Sequence, residues 1–232
     1  MFAGRPIDIS RFFYVTYVIK FYHLNCINFK FSIIIVFVVA LCTANSCFGQ
    51  IQLSNASFED KPKDATTPIG WNSCGDYSTP DILPGYWEVT HKPVNGNTFL
   101  GLITREDGTN EWIGQQISGT LEKNVCYSFT VTLARSDSYA NYNRPVILRI
   151  WGGQSLCERK QLLAQTLAIE HTDWKEYEFV FLPKMDYEFI IIEAVHTKES
   201  FYPYKGNLLI DNCSTIDKCD RAAVDSQLYI HN

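Results

Sequence analysis

Tyr127-Ser-Phe-Thr-Val-Thr-Leu133 carries an apolar side chain at every odd position and a hydroxyl at every even one. Successive side chains of an extended chain point to opposite faces, so this stretch reads as a strand with one face buried and one face wet. The same reading extends outward to 126–134 and then to 98–104, 112–117, 146–151, 174–182, 187–195 and 207–213. Each of these is rich in β-branched or aromatic residues and bounded by Gly, Pro, Asn or Asp. Residues 187–195 are almost continuously hydrophobic, as a central strand covered on both sides would be. Residues 157–168 admit a helix through Leu162, Leu163 and Leu167, but a short strand over 162–167 keeps the rhythm of its neighbours and is the expectation. The expected fold class is all-β, a two-sheet sandwich.

Upstream, Phe31-Ser-Ile-Ile-Ile-Val-Phe-Val-Val-Ala40 follows Lys30 and runs into small and polar residues, the order of a secretory signal. The apolar run is too short for a membrane anchor, which needs about 20 residues. Residues 30–49 are therefore expected to be a signal peptide cut after Cys47-Phe-Gly49, leaving Gln50 as the mature N-terminus; a lipoprotein acylated at Cys47 is the alternative. Residues 1–29 read as an unstructured extension from an early start, 50–219 as one domain and 220–232 as a tail. The expected location is secreted or at the cell surface, with no transmembrane anchor in the mature chain.

Four of the 20 Lys and Arg and one of the 25 Asp and Glu precede Gln50, so the mature 183 residues carry a net charge of −8. That acidity argues against nucleic acid, whose phosphates need a clustered basic face. Five cysteines remain, Cys74, Cys126, Cys157, Cys213 and Cys219, and an oxidising compartment should pair some of them. Cys213 and Cys219 are expected to form one disulfide, because their short intervening loop lets the Cα atoms approach within about 4.4 to 6.8 Å. Pairing among Cys74, Cys126 and Cys157 stays open. Residues 59–94 hold five of the nine prolines and no sustained period, a long connection for which Cys74 offers a tie.

Several motifs follow one another in order: Asn55-Ala-Ser-Phe-Glu59, Pro68-Ile-Gly-Trp71, residues 96–102, Trp112-Ile-Gly-Gln-Gln-Ile117, Tyr127-Ser-Phe129, Trp174-Lys-Glu-Tyr177-Glu-Phe179 and Asn207-Leu-Leu-Ile-Asp-Asn212. This succession resembles the galactose-binding-domain-like jelly rolls, the fold of several carbohydrate-binding module families. It is also similar to exported domains that Bacteroidetes attach to cell-surface and gliding-associated proteins. The resemblance implies a structural Ca²⁺ held by Glu59 and Asp211, with Asn55 and Ser57 supplying backbone oxygen, since Ca²⁺ takes hard oxygen ligands from several strands. The alternative is that Glu59 caps a turn and Asp211 bonds backbone amides. The resemblance also assigns Trp71 and Trp174 to core packing and leaves Trp151 open.

Sugar rings present apolar C–H faces that stack on aromatic rings while polar side chains take the hydroxyls. Two loops concentrate such groups: 135–144, with Arg135, Tyr139, Tyr142 and Asn143, and 105–112, with Arg105 and Trp112. These six residues are the candidate ligand contacts; a solvated hairpin connection is the plainer alternative. No G-x-S-x-G elbow, H-E-x-x-H helix, P-loop or paired-cysteine zinc pattern occurs, so catalysis is not expected. The functional expectation is a non-catalytic module binding glycan or polysaccharide, with a structural or adhesion domain of an envelope or gliding assembly, partnered by other envelope proteins, as the alternative.

Overall fold

A computed structural model describes residues 50–197 and 200–220, within the compact unit Gly49–Asn232. The signal peptide and extension expected over 1–49, and the tail beyond Asp220, lie outside the described residues. Eleven strands and no helix are found among the described residues: β1 (Asn72–Ser73), β2 (Asp81–Leu83), β3 (Phe99–Thr104), β4 (Trp112–Leu121), β5 (Tyr127–Ala134), β6 (Ile147–Gly153), β7 (Gln161–Gln165), β8 (Lys175–Phe181), β9 (Tyr187–Val195), β10 (Gly206–Asp211) and β11 (Asp217–Lys218).

They form two antiparallel sheets packed as a jelly-roll β-sandwich. The five-stranded sheet runs β1-β4-β9-β6-β7. The six-stranded sheet has β5 between β8 on one edge and β10 on the other, followed by β3 and β2; β11 continues beside β5 where β10 ends. The hydrophobic strand β9 is central, between β4 and β6, as its composition requires. The segment 161–165 is a strand, not a helix.

Alternation decides which side chains enter the core. Tyr127, Phe129, Val131 and Leu133 of β5 point between the sheets, where they meet Ile113 of β4, Leu148 and Ile150 of β6 and Ile190 and Ile192 of β9. The opposite face of the six-stranded sheet is also covered. Leu83, Phe99, Ile103, Ala134 and Leu209 face away from the main core and, with Val89 and Tyr139 from the overlying loops, build a second, smaller cluster. A sheet buried on both faces lets the 84–93 and 135–144 loops pack as structure.

Two cystines tie the loops. Cys74 pairs with Cys157 and Cys126 with Cys219, while Cys213 is a buried free thiol, so the expected Cys213–Cys219 bond is corrected. The cause is the pairing of β11 with β5, which brings the Cys219 amide to the Cys126 carbonyl at 3.0 Å and carries Cys219 away from Cys213. Cys213 instead turns into the main core, where burial pushes its thiol well above the ordinary range.

Candidate functional site

The two motifs at the ends of the domain meet. Asn55-Ala-Ser-Phe-Glu59 is a turn rather than a strand, with Asn55 and Phe58 at positive φ. Asn55 locks it: its amide donates to the Glu59 and Ile69 carbonyls at 3.0 and 2.8 Å, and its oxygen accepts from the Glu59 amide at 2.7 Å. The carboxylates of Glu59 and Asp211 then grip one passing segment. Glu59 accepts from the Asn97 and Thr98 amides at 2.9 to 3.2 Å. Asp211, with no exposed surface, accepts from Val94 and Asn95 on one oxygen and from Ser57 and Asn212 on the other, at 2.7 to 3.1 Å. Gly96 is required between them: its φ is +67° and a Cβ there would stand 2.2 Å from the Glu59 carboxyl carbon.

This donor set does not fit a calcium ion. Ca²⁺ needs six to eight oxygen lone pairs directed at it, whereas all four lone pairs of Asp211 and three of the four on Glu59 are engaged by N–H and O–H groups. The Asn55 backbone oxygen, expected as a further ligand, is likewise taken, accepting from the Phe58 amide and the Trp71 indole at 3.1 Å each. Burial raises the Asp211 carboxyl above its usual range, partly offset by its four donors.

The 135–144 loop, with four of the expected ligand residues, is largely self-engaged. Tyr139 is corrected: it is 2% exposed, its hydroxyl donates to buried Asp81, and its ring belongs to the second cluster. Burial first, and Asp81 beside it, drive its phenol well above the ordinary range. Arg135 fastens the loop through the Asn143 and Glu170 carbonyls and Asp137. Tyr142 is half-buried with the Lys205 ammonium 5.6 Å over its ring, and the Asn143 side chain is exposed. Arg105 is tied to Thr79 and to the buried carboxylate of Glu111, which burial raises and Arg105 draws back.

Trp112 falls elsewhere, on the outer face of the five-stranded sheet, and there the sequence residues that matter converge. Since Ile113, Leu148, Ile150 and Ile192 point inward, alternation turns Trp112, Arg149, Trp151 and Glu193 outward. Register sets Trp112 (β4), Glu193 (β9) and Arg149 (β6) in one row across three strands. Glu193 is 2% exposed although it lies on the outside. It accepts from the Trp151 indole at 2.8 Å, from Asn110 at 3.1 Å and from Arg159. Arg159 also lies 4.5 Å over the Trp112 ring, and Arg149 6.0 Å over the Trp151 ring.

The Cys74–Cys157 bond fixes the border of this face. Cys74 Sγ lies 3.3 Å from where a Cβ on Gly114 would stand, and a Cβ on Gly75 would collide with the Trp112 ring at 2.5 Å. Arg159 follows Cys157 by two residues, so the disulfide sets its reach. Sequence reasoning found Trp112 and left Trp151 open; Arg149, Arg159, Glu193 and Asn110 were missed. The alternation in Ile147-Leu-Arg-Ile-Trp151 does place Arg149 and Trp151 on one side, but only cross-strand register adds Glu193. Among the described residues no three His, Cys, Asp or Glu side chains group as a metal site, and no helix is long and apolar enough to cross a membrane.

The sequence matches no protein-family model and no curated protein. Solved structures of similar arrangement include a family 16 carbohydrate-binding module, at 15% identity and TM-score 0.43 over 71% of this chain and 99% of that one. They include the CBM22-1 xylan-binding domain of Paenibacillus barcinonensis Xyn10C, at 14% identity and TM-score 0.45 over 72% and 93%. They also include the K1 cleaved adhesin domain of Lys-gingipain from Porphyromonas gingivalis W83, at 11% identity and TM-score 0.48 over 74% and 100%.

Proposed function

We propose that this protein is an exported, non-catalytic module that binds carbohydrate on the outer face of its five-stranded sheet. The observation that carries the reading is the row Trp112–Glu193–Arg149 with Trp151 beside it. Two indoles offer apolar surface for the C–H face of a sugar ring, and the guanidinium and amide groups between them suit its hydroxyls. Glu193 holds the Trp151 indole and Arg159 in place before any ligand arrives, so little ordering is left to be done on binding. Two disulfides between distant segments suit an oxidising, extracellular compartment.

Affinity electrophoresis of the domain through gels containing a panel of plant and microbial polysaccharides tests it. At least one polysaccharide should retard the wild type, and Trp151→Ala should run unretarded while keeping the wild-type far-UV circular dichroism spectrum. Equal retardation of wild type and variant would refute the site.

A second reading, an adhesion domain within an envelope assembly, has its own support. Phe201 and Tyr202, on the connection between β9 and β10, are 97% and 82% exposed. Adjacent exposed aromatics of this kind mark protein contacts as readily as glycan contacts. Polysaccharide-independent capture of a cell-envelope protein, abolished by Phe201→Ser with Tyr202→Ser, would favour it.

A further inference from the structure

On the outside of the other sheet, a loop that no sequence motif singled out holds a tryptophan to solvent. Of the five tryptophans, Trp71 is buried and Trp112, Trp151 and Trp174 are half-buried, while Trp87 is 44% exposed and its neighbour Tyr86 37%. An exposed indole on a flexible loop would carry little meaning. This one is held.

Trp87 and Glu88 both adopt left-handed backbone, φ 57° and 64°, a region disfavoured for residues with a Cβ. The facing loop repeats the feature at Ala140 and Asn141, φ 45° and 70°. Four of the ten non-glycine residues at positive φ among the described residues therefore fall on two loops that touch. The Ala140 amide donates to the Trp87 carbonyl at 3.2 Å, and the Ser138 hydroxyl to the Glu88 carbonyl at 2.9 Å. Within the first loop Val89 bonds back to Tyr86 and Gly85 to Val89, and the Val89 side chain is buried in the second cluster as an anchor. Burial raises the Asp81 carboxyl beneath the loop above its usual range, and hydrogen bonding from Tyr139, the Ala65 amide and the Trp87 indole draws it partly back. Backbone strain maintained by packing from below concentrates where a side chain must be presented in one orientation.

The rim suits one ligand chemistry. Glu88, next to Trp87, and Asn141, next to the Ala140 that bonds the Trp87 carbonyl, are exposed and supply a carboxylate and a carboxamide beside the aromatic pair. We infer that Trp87, with Tyr86, Glu88 and Asn141, forms a second carbohydrate site in which the face of a neutral sugar ring stacks on the indole. The inference shares the substrate class of the reading above but not its residues, and the two sites lie on different sheets.

The five tryptophans make a direct test. A ¹⁵N–¹H spectrum resolves one indole signal for each, and titration with neutral hexaoses of xylose, glucose, mannose and galactose reports which indoles meet sugar. At least one of these probes should move the Trp87 signal. Trp87→Ala should weaken that probe's binding by at least about tenfold, equivalent to about 1.4 kcal/mol, while the other four indole signals keep their wild-type positions. Movement of Trp87 with Trp112 and Trp151 static would sustain this site and sink the sheet site; the converse would sink this one alone. A Trp87 signal unmoved by every probe, or wild-type affinity in Trp87→Ala, overturns the inference, and the wild-type titration decides even if the variant fails to fold.

Discussion

Replacing Asp211 by Asn preserves the side chain's volume and removes only charge and one acceptor, which isolates the clasp between the two ends of the domain. The wild-type carboxylate accepts four hydrogen bonds in a site with no exposed surface. An amide at this position can keep its oxygen toward the Val94 and Asn95 amides and turn its NH₂ toward the Ser57 hydroxyl, which can accept. The Asn212 amide then faces a donor and is left unpaired, at about 1–3 kcal/mol, and two bonds to a charged acceptor become neutral ones, at roughly 1 kcal/mol each. Relief of the buried charge, which raises the Asp211 pKa, offsets part of this. The net loss is about 3 kcal/mol, or roughly 6–12 °C in melting temperature for a domain of this size. Calorimetry in chelator and in millimolar calcium should show the same loss in both. If a bound ion held the clasp instead, calcium at one hundred times Kd would stabilise the wild type by about 2.7 kcal/mol, and the variant would not respond. A wild-type melting temperature that rises by several degrees with calcium, with Asp211→Asn unresponsive, would refute the hydrogen-bonded account.

Peptide mapping under non-reducing conditions should recover Cys74 with Cys157 and Cys126 with Cys219, with Cys213 alkylated only after unfolding; a Cys213–Cys219 peptide would contradict the strand pairing. Removing either bond, with sequence separations of 83 and 93 residues, should lower stability by about 4.5 kcal/mol by loop-closure entropy. Three buried carboxyls, Asp81, Glu111 and Asp211, have their pKa values raised chiefly by burial. Each therefore holds its proton more tightly folded than unfolded, so stability falls as pH rises from about 4 through the raised values. The melting temperature should fall as pH rises above about 4, the ordinary carboxyl value, and an increase there would count against the burial argument.

The strands were legible because their signal is local. Period-two alternation in Tyr127–Leu133 and the hydrophobic run of β9 depend only on which face each residue meets. The short strands β1, β2 and β11 carry no such pattern, since two or three residues cannot display a period; their pairing partners create them. The clasp was legible as a juxtaposition, Glu59 with Asp211, but not in its chemistry. Which atoms face a carboxylate depends on the path of the 94–98 segment, and that path brings amides.

By itself the sequence determined the all-β class, the central position of β9 and the presence of aromatic and basic side chains in particular loops. Tertiary structure decided the rest, for one physical reason: cross-strand register and loop packing join residues far apart in the chain. Register gathered Trp112, Arg149 and Glu193 into one row, and β11 moved Cys219 to Cys126. Tyr139 and Trp87 are both loop aromatics next to turn-forming residues, with nothing in their neighbourhoods to tell them apart. Packing against Asp81 and the second cluster buried the first, while a left-handed backbone held by the facing loop left the second in solvent.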